Sequence, residues 1–205
     1  MTAIKICGLT GVDDARLCVE AGADAVGVNF WAGTPRCCPH EMAADIAAAV
    51  GDAAVVVGVF VDAPLDEVRR TLAETGIRWA QLHGDEPPEW VEALLPTAYK
   101  ALRVGGRDAL AEARRYPGEH LLLDALVPGQ KGGTGHTFDW AIAAEVARER
   151  KLTLAGGLNP GNVAEAVRTV RPYRVDVASG VESAPGKKDP AKVRAFIEAV
   201  RGACP

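Results

Sequence analysis

The chain has 205 residues, 48% of them hydrophobic, and its 23 Lys and Arg against 27 Asp and Glu give a formal charge of −4. That composition supports a compact core, expected as one domain over residues 1–205, and excludes a disordered chain; basic residues no denser than doublets such as Arg69-Arg70 leave no nucleic-acid footprint. No apolar run approaches the ~18 residues of a membrane-spanning helix, and Met1 to Gly11 lacks the basic flank and apolar segment of a secretory signal, so no membrane and a cytoplasmic location are expected.

Short β-rich runs alternate with amphipathic stretches from end to end. In chain order, strand Ile4 to Cys7 precedes helix Asp13 to Ala21, and strand Ala25 to Asn29 precedes helix Glu41 to Val50. Strand Val55 to Val61 is followed by helix Leu65 to Thr75, whose Leu65, Val68 and Leu72 share one face. Then come strand Trp79 to His83 with helix Pro87 to Leu95, strand Tyr99 to Arg103 with helix Arg107 to Tyr116, and strand Leu121 to Asp124 with helix Asp139 to Arg150. Strand Leu152 to Ala155 leads to helix Pro160 to Val170, and strand Val175 to Ala178 to helix Pro190 to Gly202. Asn159-Pro160 and Asp189-Pro190 each put a capping side chain before proline at an expected first helical position.

Apolar strands interleaved with helices call for a parallel sheet covered on its outer face, and eight such units are what a closed (β/α)8 TIM barrel needs. An open doubly wound sheet is the other arrangement considered. The longest connections follow the second and sixth strands, Phe30 to His40 and Ala125 to Thr137, and in a barrel both overhang the catalytic mouth. Strand ends four units apart are nearly evenly spaced, which suggests two similar half-barrels.

Gly156-Gly157 after the seventh strand and Ser179-Gly180 after the eighth leave backbone N–H groups uncovered where a barrel holds phosphate. The glycine cluster from Pro128 to His136 completes neither a Walker nor a dinucleotide pattern, so no nucleotide cofactor is indicated and a lid is expected there. Cys7 and Asp124 each end a strand at the mouth; a lone cysteine there reads most simply as a small hydrophobe, whereas a carboxyl directly after the buried run Leu121-Leu122-Leu123 can have its pKa raised by desolvation. Arg36 can fork onto a carboxylate. Gln81 and His83 share one strand face and are expected to line the barrel, while Lys5, Lys100 and Asp176 lie within strands as candidates for internal ion pairs. The five cysteines include the adjacent Cys37-Cys38 but no Cys-x-x-Cys, so neither disulfides nor a structural metal are expected.

Lys5-Ile6-Cys7-Gly8, Gln81-Leu82-His83-Gly84, Leu123-Asp124, Gly132-Gly133-Thr134-Gly135 with Phe138-Asp139-Trp140, Gly156-Gly157-Leu158-Asn159-Pro160, and Asp176 to Glu182 through Pro185-Gly186-Lys187-Lys188-Asp189 together resemble the phosphoribosylanthranilate isomerase family. The resemblance runs from the first strand to the last helix, departing at Cys37-Cys38-Pro39 and at Ala178. It implies an Amadori rearrangement of N-(5-phosphoribosyl)anthranilate to 1-(2-carboxyphenylamino)-1-deoxyribulose 5-phosphate in tryptophan synthesis, with no cofactor and no metal. By the same matching, Asp124 is the general acid on the furanose ring oxygen, Cys7 the general base on ribose C2, and Arg36 the partner of the anthranilate carboxylate.

That chemistry needs one acid, one base and a grip on both ends of the substrate. Against free values of ~8.5 for cysteine and ~3.9 for aspartate, nearby cations or a helix terminus are expected to favour the Cys7 thiolate, and desolvation or the nearby substrate carboxylate to keep Asp124 protonated. An anionic substrate on an acidic protein needs local positive charge, for which Arg36, Lys131, Lys187 and Lys188 are candidates. Two other functions fit the residues less fully: a Schiff-base sugar-phosphate lyase or aldolase using Lys100, and a non-catalytic sugar-phosphate-binding protein. A monomer or weak homodimer is expected.

Overall fold

The computed structural model describes residues 1–103, 109–124 and 140–203. Eight parallel strands close a barrel in sequence order: β1 (Ala3–Cys7), β2 (Ala25–Asn29), β3 (Val55–Phe60), β4 (Trp79–Leu82), β5 (Ala98–Arg103), β6 (His120–Asp124), β7 (Lys151–Ala155) and β8 (Arg174–Val177). The seam is made by β1 and β8, with Lys5 beside Asp176 and Ile6 beside Val177. The helices follow the strands in turn as α1 (Val12–Glu20), α2 (His40–Val50), α3 (Leu65–Thr75), α4 (Pro88–Glu92), α5 (Ala109–Arg115), α6 (Trp140–Glu149), α7 (Val163–Val170) and α8 (Pro190–Ala203). The doubly wound alternative is therefore set aside.

Side chains alternate between the two faces of each strand, and the buried residues divide accordingly. Ile4, Ile6, Val26, Val28, Leu121, Leu123, Leu152 and Leu154 face outward into the main core with the helices. Val57, Tyr99, Ala101, Leu122 and Ala155 form a second cluster inside the barrel. The helix contribution follows the same logic: Val193, Phe196, Ile197 and Val200 of α8, at spacings of one helical face, are all buried.

Two local expectations change. Asp189 caps α8 as expected, its Oδ1 accepting from the Ala191 and Lys192 amides at 2.9 and 3.1 Å. Asn159 does not cap α7, which starts only at Val163. The Asn159 side chain instead accepts from the Gly161 amide at 2.8 Å, closing a tight turn through Pro160-Gly161 before the helix begins. Helix α4 ends at Glu92 rather than Leu95. Its last residues turn through three-residue bonds such as Leu95 N to Glu92 O at 3.3 Å, because Pro96 disfavours helical backbone at the residue before it.

Between β8 and α8 the chain inserts a one-turn 3-10 segment, Ser179–Val181, and a small antiparallel hairpin of β9 (Glu182–Ala184) and β10 (Lys187–Lys188). The loop after β2 folds back so that Cys38 N donates to Asn29 O at 2.7 Å, which brings Arg36 over the end of β1. The expected second lid, with Lys131 and the glycine cluster, lies outside the described residues.

Candidate active site

Residues of one parity line the barrel, and toward its C-terminal end they are polar. Lys5 and Cys7 come from β1, Gln81 from β4 with His83 just beyond it, Asp124 from β6 and Asp176 from β8. Lys5, wholly buried, reaches Asp176 Oδ2 at 2.9 Å and crosses to Gln81 Oε1 at 3.1 Å. Tyr99 also donates to Gln81 Oε1, at 3.0 Å. With its oxygen taken by two donors, Gln81 turns its amide nitrogen to His83 Nδ1 at 2.9 Å. His83 Nδ1 must therefore be the acceptor, which leaves the ring proton on Nε2, 3.3 Å from Asp124 Oδ2. A continuous polar chain thus spans the barrel from Asp176 through Lys5, Gln81 and His83 to Asp124.

The thiol of Cys7 shares the Lys5 end of that chain. Burial is the largest influence on it and pushes it above its ordinary value, while Lys5 and Lys188 pull the other way and Asp176 adds to the rise. The neighbouring cations favour the Cys7 thiolate as expected, but burial outweighs them and the net direction is upward. For Lys5, burial opposes the charge, yet the Asp176 carboxylate overcomes it and holds the ammonium above its usual value. Gly27 of β2 is dictated by this packing, since a Cβ there would lie 2.7 Å from the Cys7 sulfur and 3.2 Å from Lys5 Nζ.

Arg36 lies with its stem across Gly8, where a Cβ would meet its Cδ at 2.6 Å. Its guanidinium grips Glu182 of β9 by two nitrogens, Nε at 2.9 Å from Oε1 and Nη2 at 2.6 Å from Oε2. Lys188 of β10, wholly buried along its side chain, completes the cluster at 2.8 Å from Glu182 Oε1 and donates to Cys7 O at 2.6 Å. Burial would raise the Glu182 carboxyl, but Arg36 and Lys188 bring it below its usual range. Lys188, expected as a free cation for the substrate, is instead an internal strut; Lys187 is exposed.

In the loop after β7, the strand beside β8, Gly156 and Gly157 have φ of 95° and 64°, values that favour glycine. Among the described residues, nothing accepts from the amides of Gly156, Gly157, Ser179 or Gly180. Gly180 packs against the Leu158 carbonyl, where a Cβ would collide. Helix α7 begins too late to direct its N-terminus at Gly157, so these amides, rather than a helix start, are what the strand 7 loop offers an anion.

Lys100 lies elsewhere. It points out of the barrel, 3.0 Å from Glu86 Oε2, and also donates to the Leu82, Gly84 and Ala101 carbonyls. A strand separates it from the inner cavity, which removes the nucleophile of the lyase reading. Sequence reasoning assigned no role to Glu182; the signal was the Glu182 to Lys188 spacing, which suits a hairpin pair. Among the described residues, no three His, Cys, Asp or Glu side chains gather as metal ligands would.

Residues 4–199 match the family model described as N-(5'-phosphoribosyl)anthranilate isomerase. A relative from Geobacter sp. strain M21, named N-(5'-phosphoribosyl)anthranilate isomerase, is 48% identical over 197 residues, covering 96% of this chain and 97% of that protein. The crystal structure of phosphoribosyl anthranilate isomerase from Thermotoga maritima superposes with a TM-score of 0.90 at 38% identity, covering 98% of this chain and all of that one. A structure of phosphoribosyl anthranilate isomerase in complex with reduced 1-(o-carboxyphenylamino)-1-deoxyribulose 5-phosphate has a TM-score of 0.87 at 36% identity, covering 98% and 100% of the two chains.

Proposed function

We propose a residue-level mechanism on the premise that the chain belongs to the N-(5'-phosphoribosyl)anthranilate isomerase family and is an enzyme of that activity in tryptophan biosynthesis. In this reading Asp124 gives its proton to the furanose ring oxygen as the C1–O bond breaks, and the anthranilate nitrogen closes a C1=N iminium. The Cys7 thiolate then takes the proton from C2; the C–H electrons become the C1=C2 bond and the iminium pair returns to nitrogen. Ketonisation of the resulting enolamine moves a proton from the C2 hydroxyl to C1 and yields the aminoketose.

What supports these roles is one arrangement: Cys7 and Asp124 end strands on different sides of the same barrel mouth, joined by the Lys5–Gln81–His83 chain. Lys5 and Lys188 favour the Cys7 thiolate against burial, and the positive iminium beside C2 adds to that pull in the complex. The thiol proton passes to solvent, which the partly exposed Cys7 meets at the mouth, before C2 is attacked. His83, with its proton directed at Asp124, positions the carboxyl while Gln81 fixes the tautomer. Arg36 holds the anthranilate carboxylate, and the amides at Gly156, Gly157, Ser179 and Gly180 hold the phosphate.

We assign all of residues 1–205 to this one catalytic domain and place it in the cytoplasm as a monomer or weak homodimer. No helix among the described residues is long and apolar enough to cross a membrane. The N-terminal mouth, away from the site, exposes Met1, Val55 and Tyr173, the surface a weak dimer would use. The test is fluorescence-monitored consumption of freshly made phosphoribosylanthranilate by the folded, reduced chain beside Cys7→Ala. Turnover lost in the variant supports the assignment of the base; a wild type that leaves substrate untouched defeats the function.

A further inference from the structure

The β9–β10 hairpin has no part in closing a barrel, yet it is tied down on three sides. The Lys188 amide donates to Asp14 Oδ2 at 2.8 Å, Thr10 Oγ1 to Gly186 O at 2.7 Å, and Lys192 Nζ to Glu182 O at 2.7 Å. What this anchorage fixes is the Glu182 carboxylate, whose side chain is 4% exposed and whose acceptors face Arg36 and Lys188. A lone buried carboxylate between two cations leaves the cluster with one net positive charge. Arg36, at 23% side-chain exposure, is the member that reaches the mouth.

We infer that Glu182, held by Lys188 and the hairpin, is a positioning residue that aims Arg36 and thereby sets the preference for a substrate carrying a carboxylate on its aromatic amine. The inference deepens the reading of Arg36 as the carboxylate partner and rests on it. A guanidinium has two edges suited to forked binding. Glu182 occupies the Nε/Nη2 edge, so the Nη1/Nη2 edge is the one left to a ligand, and its plane is set before the ligand arrives. Without Glu182 the arginine keeps its charge but must be ordered by the substrate itself, so the loss falls on recognition of the carboxylate. Lys188 supplies the second half of the device: it balances Glu182 from the protein side, which keeps the carboxylate ionised while leaving Arg36 with charge to offer.

The test compares two substrates made from ribose 5-phosphate, one with anthranilate and one with aniline, which lacks the carboxylate. For Glu182→Gln, the ratio of kcat/KM for the anthranilate over the aniline substrate is expected to fall about 10-fold, chiefly through KM. Glu182→Asp, which keeps the charge beside Lys188 but draws it back from Arg36, guards against loss of the fold and is expected to fall between wild type and Glu182→Gln. An unchanged ratio in both folded variants, or a loss confined to kcat, overturns the inference. Arg36→Met separates the two layers. If it lowers the ratio while the Glu182 variants do not, Arg36 keeps its role and Glu182 loses its own; if Arg36→Met leaves the ratio unchanged, the assignment of Arg36 itself fails.

Discussion

Two lysines on the barrel strands themselves are buried almost completely and each sits about one hydrogen bond from a carboxylate: Lys5 of β1 at 2.9 Å from Asp176 and Lys100 of β5 at 3.0 Å from Glu86. Their surroundings differ in kind. Lys5 faces the barrel interior and shares its space with the Cys7 thiol and Gln81. Lys100 faces the opposite side of its strand and binds the carbonyls of Leu82 and Gly84, while Glu86 accepts from the Asp62 and Gly84 amides at 2.9 Å. One pair is set beside the proposed base, Cys7, and the other knots the loops after β3 and β4. The parity of a residue along its strand, more than its charge or its burial, separates the two roles.

The largest effects belong to the inner face. Cys7→Ser and Asp124→Asn are each expected to lower kcat by at least ~10³-fold with circular dichroism unchanged, since losing a general acid or base costs roughly 10²–10⁴. If either retains more than a tenth of wild-type turnover, the inner residues lose their claim to the chemistry.

On the outer face, Lys100→Met leaves Glu86 buried without its cation, and denaturant titration should show a loss of about 3–5 kcal/mol. Turnover per folded molecule should stay within about 3-fold, and in the wild type borohydride with substrate should leave Lys100 unlabelled. A folded but inactive Lys100→Met would erase the contrast between the two pairs.

Lys5→Met also strands a buried carboxylate, so it too should lose stability, but it should in addition change the thiol. Because Lys5 favours the thiolate and burial already holds Cys7 above its ordinary value, removing the ammonium moves ionisation to still higher pH. Iodoacetamide labelling of Cys7 should therefore rise with pH above that of an ordinary thiol in the wild type, and later still in Lys5→Met; in Lys100→Met it should follow the wild type.

The smallest effect is on acid stability. Glu182 has a folded value below its free one, so its contribution is complete above the free value and is lost as pH falls through the folded value. The melting temperature of Glu182→Gln should accordingly approach that of wild type as pH falls through and below the range of a free glutamate carboxyl, and diverge from it toward neutrality.

Much of the scaffold was legible because it repeats simple signals. Runs such as Leu121-Leu122-Leu123 and the spacing Val193, Phe196, Ile197, Val200 state strand and helix without reference to anything distant. Asp189-Pro190 likewise marks a helix start through a local bond. Asn159-Pro160 carries a similar signal, a capping side chain before proline, but its side chain finds Gly161 first, and no sequence rule ranks those two acceptor geometries. In the site, Cys7, His83 and Asp124 were visible as strand-end residues. The Arg36–Glu182–Lys188 cluster was not, because its members are brought together by a loop from β2 and a hairpin after β8 that meet only in the closed barrel. The rise of the Cys7 thiol was hidden for a similar reason: sequence shows the nearby charges but not how much water the fold removes.

The most direct check is a crystal structure of this chain with the reduced, unreactive aminoketose phosphate. The account predicts the Cys7 sulfur about 3.5 Å from ribose C2, the Asp124 carboxyl within about 3.2 Å of the hydroxyl that had been the ring oxygen, and the analogue's carboxylate on the free edge of Arg36. A sugar bound with either Cys7 or Asp124 turned away from those atoms would contradict it.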